Sequence, residues 1–304
     1  MKTLTGPSFN PKIPEIYQIE AHSACNLKCP HCPKFVPEKA RDNYALDPKL
    51  AHLIASRDIG GSYFIEFQLS GEPTLNKNLG DIIDPFLGKV VTGLSTHGLL
   101  MDKHPILHQL DYLTISIDSV TDYEKVRLGG NWEKLVEQID IFMATKKAIK
   151  SKTLVDLQIV QLENSKASND WEKQVPLLEE LIVTRGWNAK VRTVQDCASQ
   201  LYNRQEVSAV SKELCLNPWL SVTVHSDGDV VPCCFAFGKE VVYGNLNEAS
   251  LETIWNESVE RKELQRAHLS GSVPDMCKDC IARSPTQLHQ TIYNNMVKRI
   301  RAGE

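Results

Sequence analysis

The sequence predicts an α/β chain: a partial (β/α)6 TIM-like barrel followed by a small carboxyl-terminal module that carries cysteines. Three observations predict it. Six apolar, β-branched runs alternate with amphipathic helical patterns over the first two-thirds of the chain. The cysteines crowd toward the two ends and leave residues 33–196 without one. Beyond about residue 200 the strand–helix alternation gives way to a hairpin pattern and a helical stretch.

The strand runs, in order, are "IYQIEAH", "YFIEFQLSG", "KVVTGLST", "YLTISIDS", "TLVDLQIVQL" and "AKVRTVQD". Between them "DPKLAHLIASR", "NWEKLVEQIDIFMATKKAI" and "DWEKQVPLLEELIVTR" place apolar residues at i, i+3 and i+4, the spacing of a helix with one buried face. Strand–helix units in series imply a mostly parallel sheet with helices outside. Six units are too few to close an eight-stranded barrel, so the sheet stays open. Chemistry in such sheets gathers at the carboxyl ends of the strands. "SACNLKCPHC" directly follows the first strand and therefore lies on that face.

Farther on, "WLSVTVHSDGDVVPCC" reads as a β-hairpin with Asp227-Gly228 at its turn. "ASLETIWNESVERKELQRAHLSG" is helical, and "MCKDC" follows it. This module has little core of its own, and such modules usually need a metal or another staple. The expected division is a barrel over 1–200, a cysteine module over 201–283 and a basic helical tail over 284–304, docked by its apolar side.

Of 304 residues, 42% are hydrophobic and 24% charged, the balance of a globular protein with a sizeable core. The net charge of -4 gives no support for nucleic acid as a partner. The amino-terminal residues lack the apolar region of a secretory signal. No apolar run approaches the ~18 residues of a membrane span. The expectation is a cytoplasmic protein with neither membrane nor nucleic-acid partners, its thiols kept reduced. Nine cysteines, an odd count, disfavour a complete disulfide framework and favour metal binding or catalysis.

Cys25, Cys29 and Cys32 lie within one short loop. Zinc could use the Cys29/Cys32 pair with Cys25 or His31, but no second paired motif lies nearby to complete a finger. Three thiolates make better sense where the missing ligand is the purpose, as in catalytic metal sites that keep one position open. Cys-x3-Cys-x2-Cys after the first strand resembles the signature of the radical S-adenosylmethionine enzymes. The resemblance implies a 4Fe–4S cluster on Cys25, Cys29 and Cys32, with its fourth iron chelating the methionyl amino and carboxylate groups. "LSGEPTL" resembles the family's Gly-Gly-Glu-Pro motif, with Ser70 replacing the first glycine and Gly71 and Glu72 retained. In the family that backbone receives the methionyl amino group. "LTISIDS" resembles the motif that places Ser116 and Asp118 near the ribose. Arg127 resembles the arginine that pairs with the methionyl carboxylate, for which a planar guanidinium is suited. His31 stands where the family often has an aromatic residue against adenine. The plainer readings are a helix-capping Asp118 and a surface ion pair for Arg127.

Cys215, twelve residues, Gly228, four residues, Cys233 is a spacing that resembles the opening of the SPASM domain, an auxiliary-cluster extension of the same enzymes. Cys277-x2-Cys280 supplies a second pair. No cysteine follows Cys280, so the match is to the shortened SPASM/twitch form with one auxiliary 4Fe–4S cluster on Cys215, Cys233, Cys277 and Cys280. A four-cysteine zinc ribbon has compatible spacing. Cys234 is expected on the opposite strand face from Cys233, buried and inert. Cys197 is read as a bystander thiol near the barrel mouth.

The resemblance implies hydrogen-atom abstraction from substrate by a 5′-deoxyadenosyl radical. Family frequency favours a ribosomally made precursor peptide, undergoing crosslinking, epimerisation or excision of a tyrosine-derived fragment. Only about twenty residues precede the first strand, too few for a recognition domain. A peptide substrate is therefore expected to come with a separate small peptide-recognition protein. An electron donor such as flavodoxin or ferredoxin is expected in either case. The alternatives are a dehydrogenase of a small alcohol or aminocyclitol and, outside enzymes, an iron–sulfur electron carrier or a zinc-stabilised binding protein. No residue stands out as a catalytic acid or base.

Overall fold

Strand β1 (Ile16–Ile19) pairs in parallel with β2 (Phe64–Phe67), and the ladder continues through β3 (Val91–Thr96), β4 (Tyr112–Ser116), β5 (Leu154–Gln161) and β6 (Lys190–Gln195). All six lie within the runs read from the sequence. The structure, a computed structural model, describes residues 12–35, 41–56, 59, 62, 64–162, 168–195, 215, 217–278 and 280. Cys197, the expected division near residue 200 and the tail over 284–304 lie outside the described residues.

The helices begin where their caps dictate. Asp47 accepts from the Lys49 amide, and Pro48 opens α1 (Pro48–Ala55). Short α2 (Leu79–Ile83) and α3 (Tyr123–Val126) follow β2 and β4. Asn131 caps α4 (Trp132–Ala148) through the Lys134 amide. That helix buries Leu135, Val136, Ile139, Phe142 and Met143, one stripe at helical spacing. Helix α5 (Trp171–Arg185) ends at Gly186, whose φ of 65° suits a left-handed cap.

Alternation along the strands separates two faces. Tyr17 and Ile19 of β1, Ile65 and Phe67 of β2, and Leu113 and Ile115 of β4 join the main core. Gln18 and Glu66 occupy the opposite face of their strands, where Phe64 and Tyr112 form a smaller apolar cluster with Val91 and Leu154.

After α6 (Asn217–Leu220) the hairpin forms as expected, from β7 (Ser221–Val224) and β8 (Asp229–Val231), with Gly228 at φ 94°. It does not stand apart from the barrel. β7 pairs in parallel with β1 along its whole length, and β9 (Gly244–Asn245) adds to β8. One sheet results, in the order β6-β5-β4-β3-β2-β1-β7-β8-β9. Val222, Val224, Leu251, Ile254 and Trp255 belong to the same core as the barrel strands. The long helical pattern after residue 249 breaks at Ser258 into α7 (Leu251–Glu257) and α8 (Val259–Ser270), with Ser258 capping the second through the Arg261 amide. Arg261 lies 3.4 Å over the Trp255 ring and donates to the carbonyls of Trp255 and Pro218, tying α8 to α6. Among the described residues no helix is long and apolar enough to cross a membrane.

Because β7 covers one edge of β1, the barrel should not fold alone. A chain ending at residue 200 is expected to lose its cooperative thermal transition and to bind a hydrophobic dye. A melt as sharp as that of the full chain would show that the shared core is dispensable.

Candidate functional site

The cysteine loop leaves β1 through His22–Ala24 and returns through Arg41–Leu46. The two legs pair: the Ser23 amide donates to the Tyr44 carbonyl (2.9 Å), the Leu46 amide to the Ala21 carbonyl (3.0 Å), and the Tyr44 amide to Ser23 Oγ (2.7 Å). Within the loop the Leu27 amide approaches Cys25 Sγ at 3.4 Å, and the Cys32 amide donates to the Cys29 carbonyl. Burial pushes the Cys25 thiol up to about 12 and Cys32 up to about 11, with the neighbouring cysteines adding to it. Cys29 is also raised by burial, partly offset by the Arg127 guanidinium.

The loop after β2 presses directly on this entry leg. A Cβ on Gly71 would lie 1.8 Å from the His22 carbonyl oxygen, so only glycine fits. The next amide, of Glu72, donates to the Ala24 carbonyl at 2.8 Å. The Glu72 carboxylate turns inward. It accepts from the Thr74 amide (3.0 Å), Thr74 Oγ1 (2.6 Å), Thr96 Oγ1 (2.6 Å) and the His97 amide (2.9 Å). His97 Nδ1 accepts from the Leu99 amide, which leaves the proton on Nε2 to donate to Asn26 Oδ1 at 2.8 Å.

Past β4, Asp118 is fully buried with a left-handed φ of 63°. Its Oδ1 accepts from the Val160 amide, and Asn169 Nδ2 donates to its carbonyl at 2.6 Å. Oδ2 lies 2.5 Å from Arg127 Nη2 and 3.4 Å from His31 Nε2. Burial would raise the Asp118 carboxyl, but Arg127 and His31 outweigh it and hold it below the usual range. The other guanidinium arm reaches Cys29 Sγ at 3.9 Å. Three buried atoms of this group have no hydrogen-bond partner among the described residues, His31 Nδ1, Arg127 Nε and Asp118 Oδ2, the last being ion-paired. Half-buried Ser116 ends β4 nearby.

The later cysteines also meet. Burial raises the Cys233 thiol strongly, and the charges of Cys234, Cys215 and Cys280 raise it further. Tyr243 is raised in the same way, by burial and then by Cys233, with Cys215 and Cys277 contributing. The four expected ligands therefore share one neighbourhood. Cys233 and Cys234 do not lie on a strand, since β8 stops at Val231. Pro232 lacks the amide that would extend the ladder. Strand alternation thus does not govern the pair, and Cys234 is half-buried rather than buried.

A family model described as an iron–sulfur cluster-binding domain, SPASM, matches residues 215–281. The S-adenosyl-L-methionine-dependent 2-deoxy-scyllo-inosamine dehydrogenase of Niallia circulans is 27% identical over 276 residues, 88% of this chain and 93% of that protein. Three solved structures share the fold. BtrN in complex with AdoMet and 2-DOIA has a TM-score of 0.50 at 19% identity, over 88% of this chain and 93% of that one. Streptococcus suis SuiB bound to S-adenosylmethionine has a TM-score of 0.59 at 16% identity, over 89% of this chain and 73% of that one. Native anSMEcpe with bound AdoMet has a TM-score of 0.59 at 14% identity, over 95% of this chain and 100% of that one.

The chain carries a SPASM match over residues 215–281 and resembles the radical S-adenosylmethionine enzymes.

The residues present fit the groups that the resemblance implies. Each cysteine set is a group of thiols in one neighbourhood, and the first set lies beside buried polar atoms that lack partners. Among the described residues no three His, Cys, Asp or Glu side chains converge tightly enough for a single metal ion.

Of the expected nucleoside-site residues, the structure brings His31 and Arg127 onto the same carboxylate, that of Asp118. Gly71 is pressed against the entry leg. Glu72 is engaged by the protein through both its amide and its carboxylate, and Ser70 Oγ donates to Glu20 Oε1 at 2.6 Å. Sequence reasoning missed Asn26, Thr96, His97, Glu20, Arg41 and Ser226. Asn26, next to Cys25, follows a motif residue closely enough to have been a candidate. The others announce themselves in no local pattern.

Two predictions follow from these contacts. Gly71→Ala should force the entry leg away, costing about 1–3 kcal/mol of stability and lowering the iron retained per chain on reconstitution. Full iron content and an unchanged melt would refute the close approach. The second concerns Glu20, whose carboxyl burial would raise but Arg41 and Ser70 pull down to about 2. Below its ordinary value of 4.5 the unfolded chain binds a proton that the folded chain refuses. The stabilisation, about 3 kcal/mol, is present above pH 4.5 and is lost as pH falls toward 2. Urea titrations across that window should therefore show a shallower loss of stability in Glu20→Gln than in the parent.

Proposed function

We propose that the chain is a radical S-adenosylmethionine dehydrogenase of a small, hydroxyl-bearing substrate. In this reading Cys25, Cys29 and Cys32 hold the cofactor-binding 4Fe–4S cluster, and Cys215, Cys233, Cys277 and Cys280 hold an auxiliary one. Together the reduced cluster and S-adenosylmethionine supply a 5′-deoxyadenosyl radical that removes a hydrogen atom from substrate. Arg127, fixed by Asp118, offers its guanidinium to the methionyl carboxylate. Gly71 lets the backbone approach the amino group, and His31 and Ser116 border the nucleoside. An external one-electron donor of the flavodoxin or ferredoxin type is required.

The observation that carries the dehydrogenase reading is the likeness to the Niallia circulans enzyme across nearly the full length of both chains. The sheet face opposite the core agrees with it. Gln18 accepts from Thr223 there at 3.2 Å, and Glu66 accepts from Ser95 at 3.1 Å. Burial raises the Glu66 carboxyl, with Arg192 opposing. Such a lining suits a hydrophilic molecule. A carbinol carbon that has lost a hydrogen atom becomes a carbonyl by giving up one proton and one electron. Four thiolates around an auxiliary cluster fit the electron's destination. For the proton, His225 follows β7, near enough to Arg41 and Glu20 to feel their charges. Burial and Arg41 depress its imidazole to about 4, so it is neutral and able to accept.

Peptide modification is the second reading, favoured by the fold shared with SuiB, which is solved bound to the precursor peptide SuiA with a TM-score of 0.57 at 15% identity. The frequency of peptide maturases in the family supports it too, and it brings with it a separate recognition protein. The dehydrogenase reading draws instead on this chain's own sequence.

Anaerobic reconstitution should give about eight irons per chain and 5′-deoxyadenosine after reduction. With 2-deoxy-scyllo-inosamine or related polyols, a ketone should accumulate with 5′-deoxyadenosine. His225→Gln should cut ketone formation at least tenfold while 5′-deoxyadenosine is still formed. Bound zinc with no nucleoside product would end the radical reading. Turnover of a co-encoded peptide but of no polyol would shift the assignment to peptides.

A further inference from the structure

Glu20 ends β1 at the root of the cysteine loop, and no family motif quoted above assigns it a part. Its side chain is buried, yet it carries five hydrogen bonds. Arg41 Nη2 and Nη1 donate to Oε1 and Oε2 at 2.6 and 3.1 Å. Ser70 Oγ donates to Oε1 at 2.6 Å, and the Ser226 amide and hydroxyl donate to Oε2 at 3.1 and 2.9 Å. Arg41 Nη2 also reaches Ser70 Oγ at 2.8 Å, closing a ring.

Each partner comes from a different part of the site. Arg41 begins the returning leg of the cysteine loop. Ser70 precedes Gly71, the residue pressed on the His22 carbonyl. Ser226 lies in the turn of the hairpin that leads to Cys233. A buried carboxylate is costly unless paired and fully hydrogen-bonded, and removing one partner leaves the other uncompensated. The junction therefore has one low-energy arrangement, and it fixes the spacing of three loops at once. Ser70, standing where the resembling motif has glycine, supplies a hydroxyl that glycine cannot.

We propose that Glu20 is a positioning residue whose carboxylate, gripped by Arg41, Ser70 and Ser226, sets the cysteine loop in the geometry that receives S-adenosylmethionine and ties that loop to the auxiliary hairpin. This rests on the cofactor assignment above. Ser70 acts in it as a protein-to-protein link, not as a contact to the nucleoside.

The test uses the full chain in two states. In the metal-free protein, hydrogen exchange should speed up at residues 21–24 and 41–46 in Ser70→Gly and Glu20→Gln, and at 225–231 in Ser226→Ala. In the reconstituted protein, Ser70→Gly should keep its iron but bind S-adenosylmethionine about tenfold more weakly. The shift that S-adenosylmethionine causes in the electron paramagnetic resonance spectrum of the reduced cluster should change with it. Glu20→Gln should do the same more strongly, and Glu20→Asp should recover part of the loss. If Glu20→Gln does not fold, Ser70→Gly decides, since it removes only a hydroxymethyl group. Parent-like exchange, affinity and spectrum in iron-replete Ser70→Gly would overturn the proposal. A parent protein whose cluster spectrum does not respond to S-adenosylmethionine would instead overturn the cofactor assignment, leaving the exchange result to judge the junction by itself.

Discussion

The parallel pairing of β1 with β7 is the constraint on which the site depends. It places β1 in the interior of the sheet, with β2 on its other side. An interior strand has its amide and carbonyl groups satisfied on both flanks, so its carboxyl end cannot shift without breaking two ladders. The cysteine loop springs from that end. The loop after β2 and the turn after β7 arrive there beside it, because parallel strands deliver their carboxyl ends to one edge. Three loops distant in sequence thus meet around Glu20, and the hairpin of the auxiliary region shares the barrel's core.

Charge at this edge is handled by pairing across loops. Glu20 holds Arg41, Asp118 holds Arg127, and Glu72 takes four donors from the loops after β2 and β3. Isolated, each carboxylate would lose more by burial than it gains. Satisfied as they are, they make the edge stiff, because a loop that moved would strand a buried charge. Stiffness of this kind benefits a site that must exclude water and hold a reactive species in one place.

The strands were legible because their β-branched runs are bounded by turn residues, and helices α1, α4 and α5 because their apolar stripes keep helical spacing. The position of the cysteine loop at the carboxyl end of β1 was legible because it follows that run directly. The β1–β7 ladder was not. Ile16 pairs with Ser221, and nothing within either strand names so distant a partner. The Glu20 junction was hidden for the same reason, and Ser70 looked like a mild departure from a motif until its hydroxyl had a partner. Cys234 was misplaced because the strand was carried through Pro232, which cannot extend a ladder. The inward turn of Glu72 also lies beyond local reading, since two of its donors, the Thr96 hydroxyl and the His97 amide, come from β3 and the loop that follows it.

The two cysteine sets differ in more than count. Burial raises the thiols of Cys25, Cys29 and Cys32 in the first set and of Cys233 in the second, so a metal must displace protons from these. Around Cys29 an arginine already offsets part of the charge that three thiolates would bring. The same arginine is anchored through Asp118, which leaves Nε as its unpartnered donor, and His31 grips the same carboxylate with Nδ1 unpartnered. Through one carboxylate, the side chains of His31 and Arg127 are therefore held together beside the set with three cysteines rather than four, and a shift in either would leave the buried Asp118 short of a partner.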